Sequence, residues 1–277
     1  MKNLRVFLIL LLTLFTVPSK AHDSLNVISG FTSPESVVQD AKGNIYVSEI
    51  GEFNKDSDGK ITRISIYGKL STFASGMDDP KGLTFIGKSL YVTDKNRVLK
   101  VEPDGKCAVY GSTMAFPQTP VFFNDITSDE AGNLYISDSG NLKTGGAIFK
   151  IAKDKKVTVI LNEDTPEILA PNGLLVVKND LYEVDFASGI LYKINLKTKS
   201  ILKVAEGFGG GDGLIKSGDN FFISDWKNGK IFKLQRNKVT LYKEGFTAAA
   251  DIALSYDKKS IITPDMKAGS VTLVPIQ

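Results

Sequence analysis

A chain of 277 residues suffices for one large all-β domain or two ordinary ones. Its formal charge of +3 sits at the start: residues 1–21 hold Lys2, Arg5 and Lys20 and no acid, and 34 bases less these three leaves 31 against 31 acids. That balance excludes the basic stripe a nucleic-acid partner needs, and the lone Cys107, which reads as a small strand residue, excludes an internal disulfide.

In the opening segment, Lys2 and Arg5 precede an apolar run, Val6 to Phe15, followed by Pro18-Ser19-Lys20-Ala21. Ser19 and Ala21 are the small residues a signal peptidase takes three and one positions before its cut. The run is far short of the roughly 20 apolar residues of a spanning helix, so cleavage before His22 is expected rather than an uncleaved anchor. The expected product is exported, periplasmic or secreted, with residues 22–277 forming one domain and no membrane span.

From there the sequence repeats. IYVSE ends at Glu49, LYVTD at Asp94, LYISD at Asp138, LYEVD at Asp185, FFISD at Asp225 and IITPD at Asp265, in steps of 45, 44, 47, 40 and 40 residues. A near-constant period of this length marks one supersecondary unit, copied and stacked. The stretch Phe123 to Gly140, FNDITSDEAGNLYISDSG, carries both the repeat and a candidate metal ligand. A third apolar run follows each acid, such as KITRISI from Lys60 and ILYKINL from Ile190. A fourth follows five of these, such as LSTFAS from Leu70 and SILKVAE from Ser200. Turn formers such as Pro103-Asp104-Gly105 divide the runs, and helical periodicity is nearly absent.

The chain ends at Gln277 before a sixth fourth run, and LNVISG, Leu25 to Gly30, supplies it from the other terminus. This count predicts an all-β, six-bladed β-propeller of four-stranded blades, the last closed by an N-terminal strand at about residues 25–30. Closure hides the first and last blade edges; an open stack of repeats leaves the displaced strand unexplained. Two connections, Ser112 to Phe122 and Glu163 to Pro171, exceed what the repeat demands and read as binding loops or as tolerated insertions.

Counting back from the acids to the start of each innermost strand gives Glu35, Lys81, Asn124, Asn172 and Asp212, each 13 or 14 residues before its acid. In the last repeat the position is Ala250 or Asp251. Innermost strands line a propeller's channel, so these side chains are expected to converge at one mouth. Glu35, Asn124, Asn172 and Asp212 offer oxygens, a hard-cation set with charge for one divalent ion. Calcium is the first choice, with about six to eight oxygen ligands, and magnesium the second. Zinc is disfavoured because His22 and Cys107, the only soft ligands, are out of register. Taken singly, Asn172-Gly173 and Asp212-Gly213 also read as turn residues.

Pro171-Asn172-Gly173-Leu174, Asn124-Asp125-Ile126, Asp212-Gly213-Leu214 and Glu35 in SPESVVQD resemble the gluconolactonase/regucalcin family of six-bladed propellers. The paraoxonases and the squid-type phosphotriesterase are more distant in likeness. The resemblance covers roughly the whole chain after the leader and rests on the order and spacing of short motifs. It implies calcium or a similar ion held by Glu35, Asn172 and Asp212, with Asn124 at the metal or the substrate. It also implies hydrolysis of lactones or related esters, with Asp212 as acid/base residue. Asp125 is a second candidate, whose other reading is a partner for backbone amides. Where gluconolactonases often carry an arginine before the Asn-Asp pair, this chain has Val121-Phe122-Phe123, which puts a sugar acid lactone in doubt. The histidine pair of paraoxonases is absent, since His22 is the only histidine.

Loops after the acids emerge beside the ring and offer Phe53, Phe186, Trp226 and Met266, with Phe116 and Phe122 from the long connection. They predict a partly aromatic pocket wall, or packing between loops. Lys81 is expected to hold a substrate anion or to pair with Asp79 or Glu35. Asn54 to Ile61 matches the first eight positions of an EF-hand loop but has Ser65 at the twelfth, so a polar loop is expected. Gly207 to Gly211 precedes no phosphate-binding helix and reads as a close backbone passage beside Asp212. Two functions fit: a calcium-dependent hydrolase of a small molecule, acting as a monomer, or a non-catalytic propeller with a structural metal that binds a ligand or protein on its top face.

Overall fold

The structure, a computed structural model, describes residues 26–277; the expected leader and His22 lie outside them. Twenty-four strands form six four-stranded antiparallel sheets. Five sheets take consecutive segments, 34–77, 80–111, 123–161, 171–206 and 211–244, in simple meanders (blades 1 to 5). Blade 6 takes Ala253–Leu254, Ser260–Asp265 and Ser270–Pro275, and its outermost strand is Asn26–Ser29 from the other end of the chain. That strand pairs from Asn26↔Leu273 to Ser29↔Ser270. The arrangement is the closed six-bladed propeller that the repeat count predicts. Among the described residues, no helix is long and apolar enough to cross a membrane.

The core lies between blades. Each second strand is sandwiched by the neighbouring sheets, so Ile45–Glu49 and Leu134–Asp138 are buried at every position and read as continuous apolar runs rather than alternating ones. Tyr46 and Ile61 of blade 1 pack on Leu83, Leu90 and Val92 of blade 2. Val37, Ile45 and Val47 pack on Ile262 and Val271, which seals blade 1 to blade 6. Each such side chain stabilises by about 1.5–3 kcal/mol on full burial.

The closing residues of the repeated phrase build the channel mouth. In blade 1 the pairing Pro34↔Glu49 is followed by Val37↔Val47, so Glu35 and Ser36 stand against Ser48 alone, two residues against one, which is a β-bulge. The same slip occurs at Pro80/Leu83, Phe123/Ile126, Pro171/Leu174 and Gly211/Leu214. Small hydroxyls on the second strand meet amides that the bulge frees: Ser36 N donates to Ser48 Oγ (2.9 Å), Asp125 N to Ser137 Oγ (2.8 Å) and Gly213 N to Ser224 Oγ (2.7 Å). The acids cap the segment entering the innermost strand. Asp138 accepts from Val121 N and Phe122 N at 2.8 and 2.7 Å, and Asp265 from Thr247 N and Ala248 N at 2.6 and 3.0 Å.

The long connections are anchored in the core, and Phe122 at the end of the first reaches the channel mouth. Phe116, expected on the pocket wall, is instead core: its ring lies 4.8 Å from Phe123 and 5.1 Å from Phe149, because the turn at Thr113–Ala115 folds it under blade 3. In the second connection Ile168 and Ala170 are buried, Ile168 within the core of blades 3 and 4.

Candidate metal and substrate site

The first residue of each bulge points into the channel mouth. Glu35, Lys81, Asn124, Asn172 and Asp212 all line one cavity of about 350 Å³. Ala249 bridges Asp265 as Pro34 bridges Glu49, so Ala250 is the sixth ring position and Asp251 lies one step deeper. There Asp251 Oδ2 accepts from Ser36 Oγ at 2.5 Å, and its amide donates to Glu35 O at 3.0 Å. Glycine at the same step lets blades meet: a Cβ on Gly173 would stand 2.1 Å from the Asp212 carbonyl oxygen. This backbone approach is what brings Asn172 and Asp212 together.

Three oxygens of this ring are buried without a hydrogen-bond partner: Glu35 Oε2, Asn172 Oδ1 and Asp212 Oδ1. Burial is the main cause that raises the carboxyls of Glu35 and Asp212 well above the usual range. The Asp212 and Asp251 charges add to it at Glu35, and the Asp125 charge at Asp212. Asn124 is oriented from one end: its Nδ2 donates to Ser139 Oγ at 3.1 Å, and Ser139 Oγ donates to Pro171 O at 2.7 Å. Among the described residues no cluster of three His, Cys, Asp or Glu side chains forms a metal site; this donor set is instead two carboxylates and two amides.

Lys81 is 2% exposed, and burial lowers its pKa. Its Nζ donates to the backbone oxygen of Asp79 at 3.2 Å and sits 4.3 Å from the centre of the Phe122 ring. It forms no ion pair within 4.0 Å among the described residues, but the Glu35 and Asp79 charges oppose the fall in its pKa, and its own charge opposes the rise at Glu35. Asp125 is outside the cavity wall. Its Oδ2 accepts from Leu174 N and its Oδ1 from Ile126 N, both at 2.6 Å, so it clamps blade 4 to blade 3. Burial raises its pKa to about 6, and those two amides oppose the rise.

The wall of the cavity includes Phe53, Phe122, Phe186, Trp226 and Met266, as expected, together with Ile50, Asn54 and Leu142. Ile50 was legible: it follows Glu49 as Phe186, Trp226 and Met266 follow their acids. Leu142 and Asn54 stand in loops at positive φ, 67° and 63°, outside any register. In the EF-hand-like loop Lys55 bridges Glu52 (3.4 Å) and Asp58 (3.7 Å) and Lys95 sits on Asp56 (2.7 Å), while Asp58 Oδ1 has no hydrogen-bond partner. The glycine run wraps Asp225 rather than Asp212: Gly210 N donates to Asp225 Oδ1 at 3.1 Å, and a Cβ on Gly209 would lie 2.6 Å from Asp225 Oδ2.

No protein-family model matches this chain, and no curated protein matches its sequence. Solved structures do. A catalytically inactive variant of virginiamycin B lyase from Staphylococcus aureus, with quinupristin, is 19% identical over 91% of this chain and 99% of its own, with a TM-score of 0.62. A streptogramin B lyase structure is 14% identical over 91% and 97%, also at 0.62. The nidogen/laminin complex contains a chain 20% identical over 75% and 78%, at 0.63. At these identities the likeness is one of fold: the chain is similar to six-bladed propellers.

Proposed function

We propose that this protein is an exported, divalent-cation-dependent hydrolase of lactones or related esters, with calcium as the cation. One observation carries the reading: Glu35 Oε2, Asn172 Oδ1 and Asp212 Oδ1, buried oxygens of one cavity, have no partner in the protein. A buried oxygen without a partner costs on the order of 1–3 kcal/mol, more if charged. A hard cation taking all three removes that cost, so the residues fit the ion the resemblance implies. Glu35, Asn172 and Asp212 hold it, and Asn124, whose nitrogen is pinned to Ser139, presents its oxygen as a fourth ligand or to the substrate.

A bound cation of this kind supplies polarisation of an ester carbonyl and of the negative charge that develops on it. The chain supplies the rest. The second oxygen of Asp212 takes the proton of the attacking water. Lys81 has three ammonium protons; one goes to Asp79 O, so others remain to donate to the substrate. Phe122, Phe186, Trp226 and Met266 keep bulk water out and favour an apolar ester over a sugar lactone. Replacing a histidine inactivates the lyase of similar fold, whereas the single histidine here, His22, precedes the propeller, so a carboxylate base is the route open to this ring.

The test is a panel of lactones and aryl esters with calcium or chelator, repeated on Glu35→Gln. Turnover that needs calcium and falls at least ~100-fold in Glu35→Gln supports the reading. Turnover indifferent to both overturns it. A calcium-stabilised protein that turns nothing over moves the assignment to a binding propeller with a structural ion.

A further inference from the structure

A second chamber of about 590 Å³ opens beside the first and shares Phe53, Trp226 and Met266 with it as a common wall. Its other sides come from Phe31, Thr32 and Ser33 and from Lys267, Ala268 and Gly269, in the turn after Asp265. The chemistry of the two rooms differs. The inner one ends in the oxygen ring. The outer one has an aromatic floor and a single cation: Lys267 Nζ lies 4.3 Å over the Trp226 ring and forms no ion pair among the described residues. The Trp226 Nε1 proton is directed at Met266 Sδ, 3.4 Å away. A thioether is a weak acceptor, which leaves that donor available to a better one.

We infer that the substrate is a two-part molecule: an ester or lactone whose carbonyl seats at the ring and whose elongated apolar substituent, ending in a carboxylate, runs over Phe53 and Met266 into the outer chamber beside Trp226 and Lys267. The inference deepens the proposed hydrolase, but it stands on separate residues, because no ring residue lines the outer chamber. The aromatic faces of Phe31, Phe53 and Trp226 select an alkyl or aryl chain, although Thr32 and Ser33 make part of the wall polar. Lys267 with the Trp226 indole proton selects an acceptor at its end. The shared wall fixes the order, carbonyl inside and tail outside.

Trp226 is the only tryptophan, so its fluorescence reports this wall directly. The chelator-treated protein is titrated with butyrate, decanoate and decanol. Decanoate is expected to change Trp226 emission saturably, tightening about fourfold per methylene buried, which is about 0.8 kcal/mol. Decanol binds more weakly, and Lys267→Met removes the difference between the two. Ala268→Phe, which places a ring in the path of the tail, weakens decanoate binding while keeping the wild-type melting temperature and calcium-induced shift. With calcium, γ-dodecalactone has a higher kcat/KM than γ-butyrolactone, and Ala268→Phe erases the gap. Equal affinity for butyrate and decanoate, or full decanoate binding in Ala268→Phe, overturns the inference whatever calcium does. Decanoate binding without any calcium-induced shift leaves it standing and overturns the metal reading instead.

Discussion

Replacing Asp212 with asparagine is expected to change stability in opposite directions with and without calcium. Asp212 is 4% exposed and one of its oxygens has no partner. Burial, with the Asp125 charge beside it, raises its carboxyl well above the ordinary range, so at neutral pH the ion-free protein holds an unfavourable acid. The nearly isosteric amide removes the charge though not the unpartnered oxygen; a buried unpaired group costs on the order of 1–3 kcal/mol and more when charged, and that charged excess returns as higher stability in chelator. With calcium at 100 times its dissociation constant the wild type gains about 2.7 kcal/mol. For a chain of this size that is roughly 5–11 °C in melting temperature. Asp212→Asn has one ligand charge fewer and loses most of the gain. Thermal melts of both proteins in EDTA and in calcium, at fixed ionic strength, read the four values. A variant less stable than wild type by the same amount in both conditions refutes the reasoning, since it makes Asp212 an ordinary structural residue.

Glu183 stands opposite Leu174, in the place that Val47, Val92, Ile136 and Ile223 take in other blades. It is fully buried, and neither oxygen has a hydrogen-bond partner; the Asn172 amide approaches it without reaching hydrogen-bond geometry. Burial, then the Asp185 charge, raises its pKa well above normal. An acid with a raised folded pKa binds its proton more tightly when folded, so its contribution to stability falls as pH rises from about 4.3 to the folded value. Glu183→Leu should therefore stabilise by about 1–3 kcal/mol at low pH, and its advantage over wild type should widen with pH, as urea melts from pH 4 to 8 can show. Ser137→Ala removes the hydroxyl that meets the buried Asp125 amide and should cost about 1–3 kcal/mol in the same assay. Asp138→Ala strands the amides of Val121, Phe122 and Gly140 and should cost more than Ser137→Ala, about 3 kcal/mol or above.

The fold was legible because its parts repeat, and five of the ring positions because the bulge preserves a count. Hairpin turns of five residues after Gln39 and Ser128, flanked on each side by strands one residue shorter, against turns of two after Ile86, Val177 and Ser217, account for the spacings of 14 and 13. The sixth position was ambiguous because the last innermost strand is only Ala253–Leu254, and the bridge Ala249↔Asp265 that identifies Ala250 leaves no sequence mark. Phe116 misled for a different reason: an aromatic in a long loop has the same composition whether it faces a cavity or turns under the sheet. The outer chamber was invisible because Phe31, Phe53, Trp226 and Lys267 belong to connections remote in sequence, brought together by ring closure.

Scaffold and chemistry are separated within three residues of each blade. The acid that ends the second strand and, in several blades, the hydroxyl before it satisfy backbone amides, so they hold the bulge whatever side chain the bulge presents. The presented side chain contributes little to its own placement. That is why Lys81 and Ala250 occupy the same geometry as Glu35 and Asp212 without disturbing their blades. A sixfold frame can therefore carry an asymmetric site, with oxygens at four positions, an ammonium at one and a buried methyl group at Ala250. Trp226, Met266 and Phe53 form the shared wall of the two chambers, and Ala250 lines neither of them. Because Ala250 is fully buried, a bulky residue there should overpack the interior beside the ring: Ala250→Leu should cost about 1–3 kcal/mol in urea melts, and a variant as stable as the wild type would show that the sixth position has room for a larger side chain.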